Sequence, residues 1–108
     1  MPRYAILEHD YPARHWDLFL EAGSVVRGWR LLAEPSSSTA ILAEPSADHR
    51  LLYLDYEGPV SGNRGRVVRW DAGTFEWIVD EPDRLVVDLH GSKLSGRYRI
   101  EKGHFGPG

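Results

Sequence analysis

Hydrophobic and polar positions along the 108-residue chain alternate with the two-residue period of β-strands in many short stretches. Stretches rich in aromatic and β-branched residues predict eight strands, at 3–8, 15–21, 25–32, 39–43, 67–71, 74–79, 85–90 and 97–101. Glycine, proline and serine clusters separate them, and no 12-residue window keeps a helical period uninterrupted. The only predicted helical element is a single turn at 46–52.

This pattern predicts an all-β fold with one domain over residues 1–108. We expect a small closed antiparallel β-barrel of about eight strands, because closure removes strand edges that so short a chain has little material to cover. The glycine-rich segment 102–108 is expected to be a frayed tail.

The composition limits the cellular compartment and the kinds of partner that we expect for this protein. The chain has no cysteine, which excludes disulfides and thiolate metal sites and fits a reducing cytoplasm. No apolar run approaches the roughly 20 residues that a membrane span needs, so we expect a cytoplasmic monomer without membrane contact. The net charge of −3 argues against a non-specific nucleic-acid coat. The basic segment 61–69, with three arginines and no acid, predicts either a local anion site or a solvated hairpin.

The first candidate chemistry is an H-x5-H-x-D pattern formed by His9, His15 and Asp17. Strand alternation places His15 and Asp17 on one face, and the turn at Pro12 can fold His9 back beside them. Two imidazoles and one carboxylate suit manganese, iron or zinc and leave coordination positions open. The alternative is that both histidines are ordinary surface or hydrogen-bonded side chains.

A second candidate cluster combines His49 and Tyr53, which lie four residues apart and would share one side of a helical turn. An imidazole beside a phenol can bind a phosphate oxygen or assist proton transfer. The alternative is a core tyrosine next to a surface histidine.

These segments, taken in order, resemble the 3′-phosphoesterase domain of bacterial DNA ligase D. The segments that carry the resemblance are His9-Asp10, 15–21, Asp48-His49, 53–58, Gly62-Asn63, Gly65, Trp70-Asp71, 73–76 and 91–98. They run in order through nearly the whole chain, from about residue 3 to residue 101.

The resemblance implies a compact barrel that uses manganese, or a similar ion such as zinc, cobalt or iron, at nucleic-acid ends. Its activity would remove a 3′-phosphate or a 3′-terminal ribonucleoside from DNA or RNA and leave a 3′-hydroxyl for joining. His9, His15 and Asp17 would hold the metal, His49 would contact the scissile phosphate, and Tyr53 would support that contact. The chain does not include ligase and polymerase domains, so separately encoded repair proteins are the expected partners.

The chain departs from the family pattern where cations are expected. Phe19 stands in place of an arginine, Leu7 in place of a glutamine, and 31–35 lacks a lysine that relatives have. Four arginines are candidates to replace these cations: Arg14, Arg30, Arg64 and Arg66. We assign phosphate binding to Arg14, Arg64 and Arg66, and favour the last two because their glycine-flanked loop can offer backbone N–H groups together with guanidinium groups.

Two other functions stay open at this point. The loss of cations allows a binding module that keeps the fold and perhaps the metal, and recognises nucleic-acid ends without turnover. The ligand set alone also allows an iron oxygenase with two histidines and one carboxylate, although the second cluster has no role in it.

Overall fold

The computed structural model describes all residues, 1–108, as nine β-strands and one turn of 3₁₀ helix. The strands are β1 (Arg3–His9), β2 (His15–Ala22), β3 (Val25–Leu31), β4 (Ile41–Arg50), β5 (Gly58–Pro59), β6 (Arg66–Glu81), β7 (Arg84–Gly91), β8 (Ser95–Glu101) and β9 (His104–Pro107). The 3₁₀ turn is Leu51–Leu54. The helical content is this one four-residue turn, and the structure has no helix that could cross a bilayer.

Eight of the strands close into a ring in the order β1-β2-β3-β4-β9-β8-β7-β6, and β6 pairs with β1 to complete it. Every pairing is antiparallel, and the two-residue strand β5 adds to the edge of β6. The predicted closed antiparallel barrel is therefore confirmed.

Strand β6 corrects the sequence interpretation, which predicted two strands separated by Ala72 and Gly73. The structure has one 16-residue strand whose first half pairs with β1 and whose second half pairs with β7. Gly73 pairs with both neighbours, and a Cβ there would lie 2.0 Å from the carbonyl oxygen of His90. The glycine read as a break is instead required by the close approach of two backbones.

The tail is the second correction, because residues expected to fray form β9, which joins β4 to β8 and so helps to close the ring. Phe105 is buried and stacks on Tyr98 with ring centroids 5.2 Å apart. Lys102 and Gly103 both have positive φ and form the two-residue hairpin turn before β9. The glycines and proline around Phe105 obscured this strand in the sequence.

The predicted helical turn at 46–52 is displaced towards the C-terminus. Residues up to Arg50 continue β4, because their backbone groups pair with β3 as far as Val25, and the 3₁₀ turn follows at Leu51–Leu54. The strand predicted at 39–43 accordingly extends to Arg50.

The wall of the barrel is apolar on both faces in β1, β2 and β3. The inward face contributes to a core of 16 buried residues that includes Tyr4, Ile6, Trp16, Leu18 and Leu20. The outward face carries a second core of six buried residues: Ala5, Leu7, Phe19, Val26, Leu54 and Val67. Tyr53, Tyr56 and Val60 of the segment after β4 pack on this second core and cover it. The predicted site residues of β1 and β2 lie on the same outward face.

A buried carboxylate fastens the connection between β7 and β8 to the barrel. Asp71 accepts hydrogen bonds from the Tyr4 hydroxyl at 2.7 Å and from the backbone N–H groups of Ser92, Lys93 and Leu94 at 3.0, 3.1 and 3.0 Å. Burial alone would raise the pKa of Asp71, but these four bonds outweigh burial and hold its pKa below the usual carboxyl value. The ionised carboxylate therefore stabilises the folded state.

We expect Asp71→Asn to lower the free energy of unfolding at pH 7 by about 2 kcal/mol or more, because an amide offers one acceptor oxygen to four donors. Since the folded-state pKa of Asp71 is lowered, the stabilisation is present above the ordinary carboxyl range and is lost as the pH falls through the folded-state pKa. Urea denaturation should thus show a smaller difference between variant and wild type near pH 3.

Asp83→Asn, in the exposed turn between β6 and β7, is the matched control and should change stability little at either pH. A loss for Asp71→Asn that is the same at both pH values would contradict the role of the charge.

Candidate metal centre and adjoining cavity

The β1–β2 hairpin brings the three predicted metal ligands together. His9 and His15 are direct cross-strand partners, and Asp17 is two residues further along the same outward face of β2. One ligand atom from each of the three side chains lies within 4.8 Å of the others. The two imidazole rings meet edge to face with centroids 4.8 Å apart.

His15 has the hydrogen bonding of a metal ligand. It is 3% exposed, and its Nδ1 lies 2.9 Å from the carbonyl oxygen of Ala13. Because a carbonyl only accepts, Nδ1 carries the hydrogen and Nε2 of the neutral ring keeps its lone pair. That Nε2 is buried without a hydrogen-bond partner and lies 3.3 Å from Oδ1 of Asp17. A buried nitrogen without a partner costs free energy, and a bound ion is one partner that would satisfy its lone pair.

His9 is oriented by the loop between β5 and β6. Its Nε2 lies 2.8 Å from the carbonyl oxygen of Arg64, so Nε2 carries the hydrogen and Nδ1 faces Oδ2 of Asp17 at 3.7 Å. The loop is held in turn by Asp10, whose Oδ1 accepts from the backbone N–H of Arg66 at 2.8 Å. Gly65 has a φ of +76°, and a Cβ there would lie 2.1 Å from this Oδ1. Nothing in the sequence spacing indicated this contact.

The donor set therefore fits a divalent transition metal. It offers two imidazole nitrogens and one carboxylate on one side, which leaves further coordination positions towards solvent. Each histidine donates its other ring N–H to a backbone carbonyl, the arrangement that commonly fixes the tautomer of a metal-bound imidazole.

Beside these ligands, a chain of aromatic rings positions His49 and Tyr53. Phe19 contacts His49 with centroids 5.2 Å apart, and His49 contacts Tyr53 at 5.6 Å. The two side chains meet as predicted but from different elements, because His49 ends β4 and Tyr53 belongs to the 3₁₀ turn. Gly28 on β3 permits this packing, since a Cβ there would lie 3.2 Å from Phe19 and 3.4 Å from His49.

A cavity of about 350 Å³ joins the two clusters on the outward face of the wall. Its polar lining consists of His9, Asp17, Arg30, Ser46, His49, Tyr53 and Arg64. The cavity thus combines two of the candidate metal ligands, a further imidazole and two arginines with an apolar floor, which is a suitable environment for an anionic ester.

Of the three arginines assigned to phosphate binding, the structure brings Arg64 to the cavity. Its guanidinium donates to Ser61, from Nε to the carbonyl oxygen at 2.6 Å and from Nη2 to Oγ at 3.1 Å. The Arg64 side chain is therefore partly engaged by its own loop.

Arg14 and Arg66 lie outside the cavity lining. The Nε of Arg14 donates to Oε2 of Glu8 at 2.8 Å, and its guanidinium lies 4.9 Å from the ring centroid of Trp16. Arg66 begins β6 opposite Pro59, one residue before outward-facing Val67, so strand alternation turns it away.

Arg30 also lines the cavity, although the sequence analysis assigns phosphate binding to the other three arginines. It is the direct cross-strand partner of Asp17 on β3. The β2–β3 register creates this proximity, and the hairpin turn at Gly23, with a φ of +67°, sets that register.

Fold and site together define a class of protein: a small closed antiparallel barrel whose outer wall carries two histidines and an aspartate beside a cavity with cationic lining. A family model described as the DNA Ligase D 3′-phosphoesterase domain matches residues 7–102. The chain belongs to this family, as its sequence motifs indicated.

Two relatives illustrate the relationship. The chain is 33% identical over 106 residues to the multifunctional non-homologous end joining DNA repair protein LigD of Mycobacterium tuberculosis, a match covering 90% of this chain and 14% of the relative. It is 31% identical over 114 residues to the multifunctional non-homologous end joining protein LigD of Mycolicibacterium smegmatis, covering 91% of this chain and 15% of the relative. The chain thus spans about one seventh of the length of these relatives.

The carbonyl contacts predict the tautomers of the two histidines in metal-free protein. At mildly alkaline pH, we expect His15 to carry its hydrogen on Nδ1 and His9 to carry it on Nε2, because each of these nitrogens faces a carbonyl oxygen. Long-range ¹H–¹⁵N NMR of the imidazole rings measures this directly. The opposite tautomer at either ring would contradict the geometry described for the ligand set.

Proposed function

We propose that this protein is a metal-dependent 3′-phosphoesterase. It removes a 3′-phosphate or a 3′-terminal ribonucleoside from DNA or RNA ends and leaves a 3′-hydroxyl that a ligase or polymerase can use. The observation that carries the proposal is the convergence of His9, His15 and Asp17 within 4.8 Å, at a cavity that also contains His49 and Tyr53. The family of the chain supports the same chemistry.

The metal site would be formed by Nδ1 of His9, Nε2 of His15 and the carboxylate of Asp17. A bound divalent ion, for which manganese is our first choice and zinc, cobalt or iron are alternatives, would supply Lewis-acid polarisation of a phosphoryl oxygen. His15 is buried and held by Ala13, so the position of its Nε2 is set before any ligand arrives. The hydrogen bond from His9 to Arg64 makes the β5–β6 loop part of the same support.

His49 would donate a hydrogen bond to the phosphate and stabilise the negative charge that develops there. Its ring is held between Phe19 and Tyr53, so it has little freedom to turn away. Tyr53 acts as a positioning residue through its ring contact with His49 and packs in turn on Tyr56 at 5.9 Å. Catalysis would then consist mainly of positioning and charge stabilisation, as is usual for phosphoryl transfer.

A second candidate, a nucleic-acid-end binding module without turnover, is favoured by one observation. Phe19, which stands where the family resemblance places an arginine, is 4% exposed and packs on His49. This position therefore supplies no charge to neutralise a phosphate. Both candidates predict binding to nucleic-acid ends, and only the esterase predicts turnover.

Metal affinity tests the ligand set separately from catalysis. We expect wild-type protein to bind Mn²⁺ and Asp17→Asn and His15→Gln to bind it at least about tenfold more weakly, because even the outer-shell partners of a metal contribute that much. Free Mn²⁺ can be followed by electron paramagnetic resonance. His104→Gln, at the exposed first residue of β9, is the matched control and should bind as wild type. Equal affinity in all four proteins would refute the site.

Turnover tests the reaction. With Mn²⁺ and a primer–template ending in a 3′-phosphate, we expect multiple-turnover phosphate release, and His49→Ala should lower kcat by about 10²–10³-fold, as removing a transition-state hydrogen bond does elsewhere. Mn²⁺ affinity should be retained, since His49 is not among the three proposed ligands. His90→Ala, an exposed position near the end of β7, should leave the rate unchanged. End binding without any release would support the binding module and refute the esterase.

A further inference from the structure

Arg30 occupies the position next to the proposed metal site on the neighbouring strand. It pairs directly with Asp17 across β2 and β3, so their Cβ atoms are about 5 Å apart. Both side chains lie on the outward face and line the same cavity. An anion held beside Asp17 and its metal would therefore lie within reach of the long Arg30 side chain.

The charge of Arg30 is not used by the protein itself. No carboxylate lies within 4.0 Å of its guanidinium, although Glu44 on β4 is its direct cross-strand partner. Its side chain makes no hydrogen bond. Arg64, the other arginine in the cavity, already donates twice to Ser61. Arg30 is thus the cation of this cavity whose donors are all available.

The geometry also shows how the cavity can have a cation although Phe19 stands where the family pattern has an arginine. Phe19 and Arg30 lie on adjacent strands of the same wall, and Gly28 is the only outward-facing residue of β3 between Arg30 and Val26. Gly28 lets Ser46, Phe19 and His49 pack over β3, because a Cβ there would lie 2.5, 3.2 and 3.4 Å from them. The short hydroxyl side chain of Ser46 therefore lies over Gly28, and no side chain of β3 itself separates Arg30 from His49. The fork of a guanidinium fits two oxygens of one phosphate, which a single imidazole cannot do.

We propose that Arg30 binds the non-bridging oxygens of the terminal phosphate and gives the site its preference for a 3′-phosphate over a 3′-hydroxyl end. This inference rests on the proposed function, since it places the phosphate between the metal ligands and His49. It assigns to β3 the charge that the family pattern supplies from the position of Phe19.

Binding without turnover provides the test. We expect the wild-type 108-residue protein, in the presence of a chelator, to bind a fluorescent duplex with a 3′-phosphate more tightly than the same duplex with a 3′-hydroxyl. The ratio of the two dissociation constants should fall about tenfold to a hundredfold in Arg30→Ala, which is the usual contribution of hydrogen bonds to a charged group. Arg30→Lys should retain part of the preference, because it keeps the charge and loses the fork.

Controls separate charge from position. Arg99→Ala, on exposed strand β8 on the far side of the ring, removes the same charge and should keep the wild-type ratio. Arg30→Gln, with thermal unfolding measured for each variant, replaces Arg30→Ala if the alanine variant is destabilised. An unchanged ratio in Arg30→Ala and Arg30→Gln, or a collapse in Arg64→Ala alone, would overturn the inference.

Turnover distinguishes failure of this inference from failure of the proposed function. If wild type releases phosphate and Arg30→Ala keeps the wild-type end preference, the inference is wrong and the esterase stands. If wild type never releases phosphate, the esterase is wrong, while the end preference of Arg30→Ala still decides what Arg30 does.

Discussion

The cross-strand pairing of His9 with His15 is the constraint on which the candidate site depends. It places two imidazoles on the outward face of the barrel wall, and the two-residue period of β2 adds Asp17 to them. A shift of this register by one residue would turn one strand's side chains towards the inner core. The core opposes such a shift, because Ile6 and Leu18, which are direct partners, are both fully buried inside the ring.

The wall formed by β1, β2 and β3 contributes both to the stability of the fold and to the site, because side chains pack on both of its faces. The ring of strands buries the inward face, and the segment from Leu51 to Val60 packs on the outward face through Leu54 and the tyrosines beside it. This covering segment gives the site a partly apolar floor and also delivers Tyr53. A hydrogen bond that His9 donates to the Arg64 carbonyl ties the following loop to the candidate metal ligands. Fold stability and site geometry are therefore coupled through one small outer core.

Local alternation was enough to predict most strands, the closed barrel and the shared face of His15 and Asp17. Features that depend on distant partners were missed: β9 is defined by its contacts with β4 and β8, and the continuity of β6 by a change of partner at Gly73. The position of the arginines likewise depends on distant partners. A glycine-flanked loop favoured Arg64 and Arg66, whereas Arg30, one of the four candidates from the sequence, is placed beside Asp17 by the β2–β3 register.

Phe19, which stands where the family resemblance places an arginine, illustrates what a β-sheet wall allows. Side chains on adjacent strands of one face project into the same space, so a charge lost from β2 can be replaced from β3 without moving the backbone. Phe19 itself has a structural role, because its ring packs in the outer core and contacts the His49 ring edge to face. Charge and packing are then supplied by different residues. Such a site can keep its chemistry while its sequence departs from the family pattern at the position where that chemistry is usually recognised.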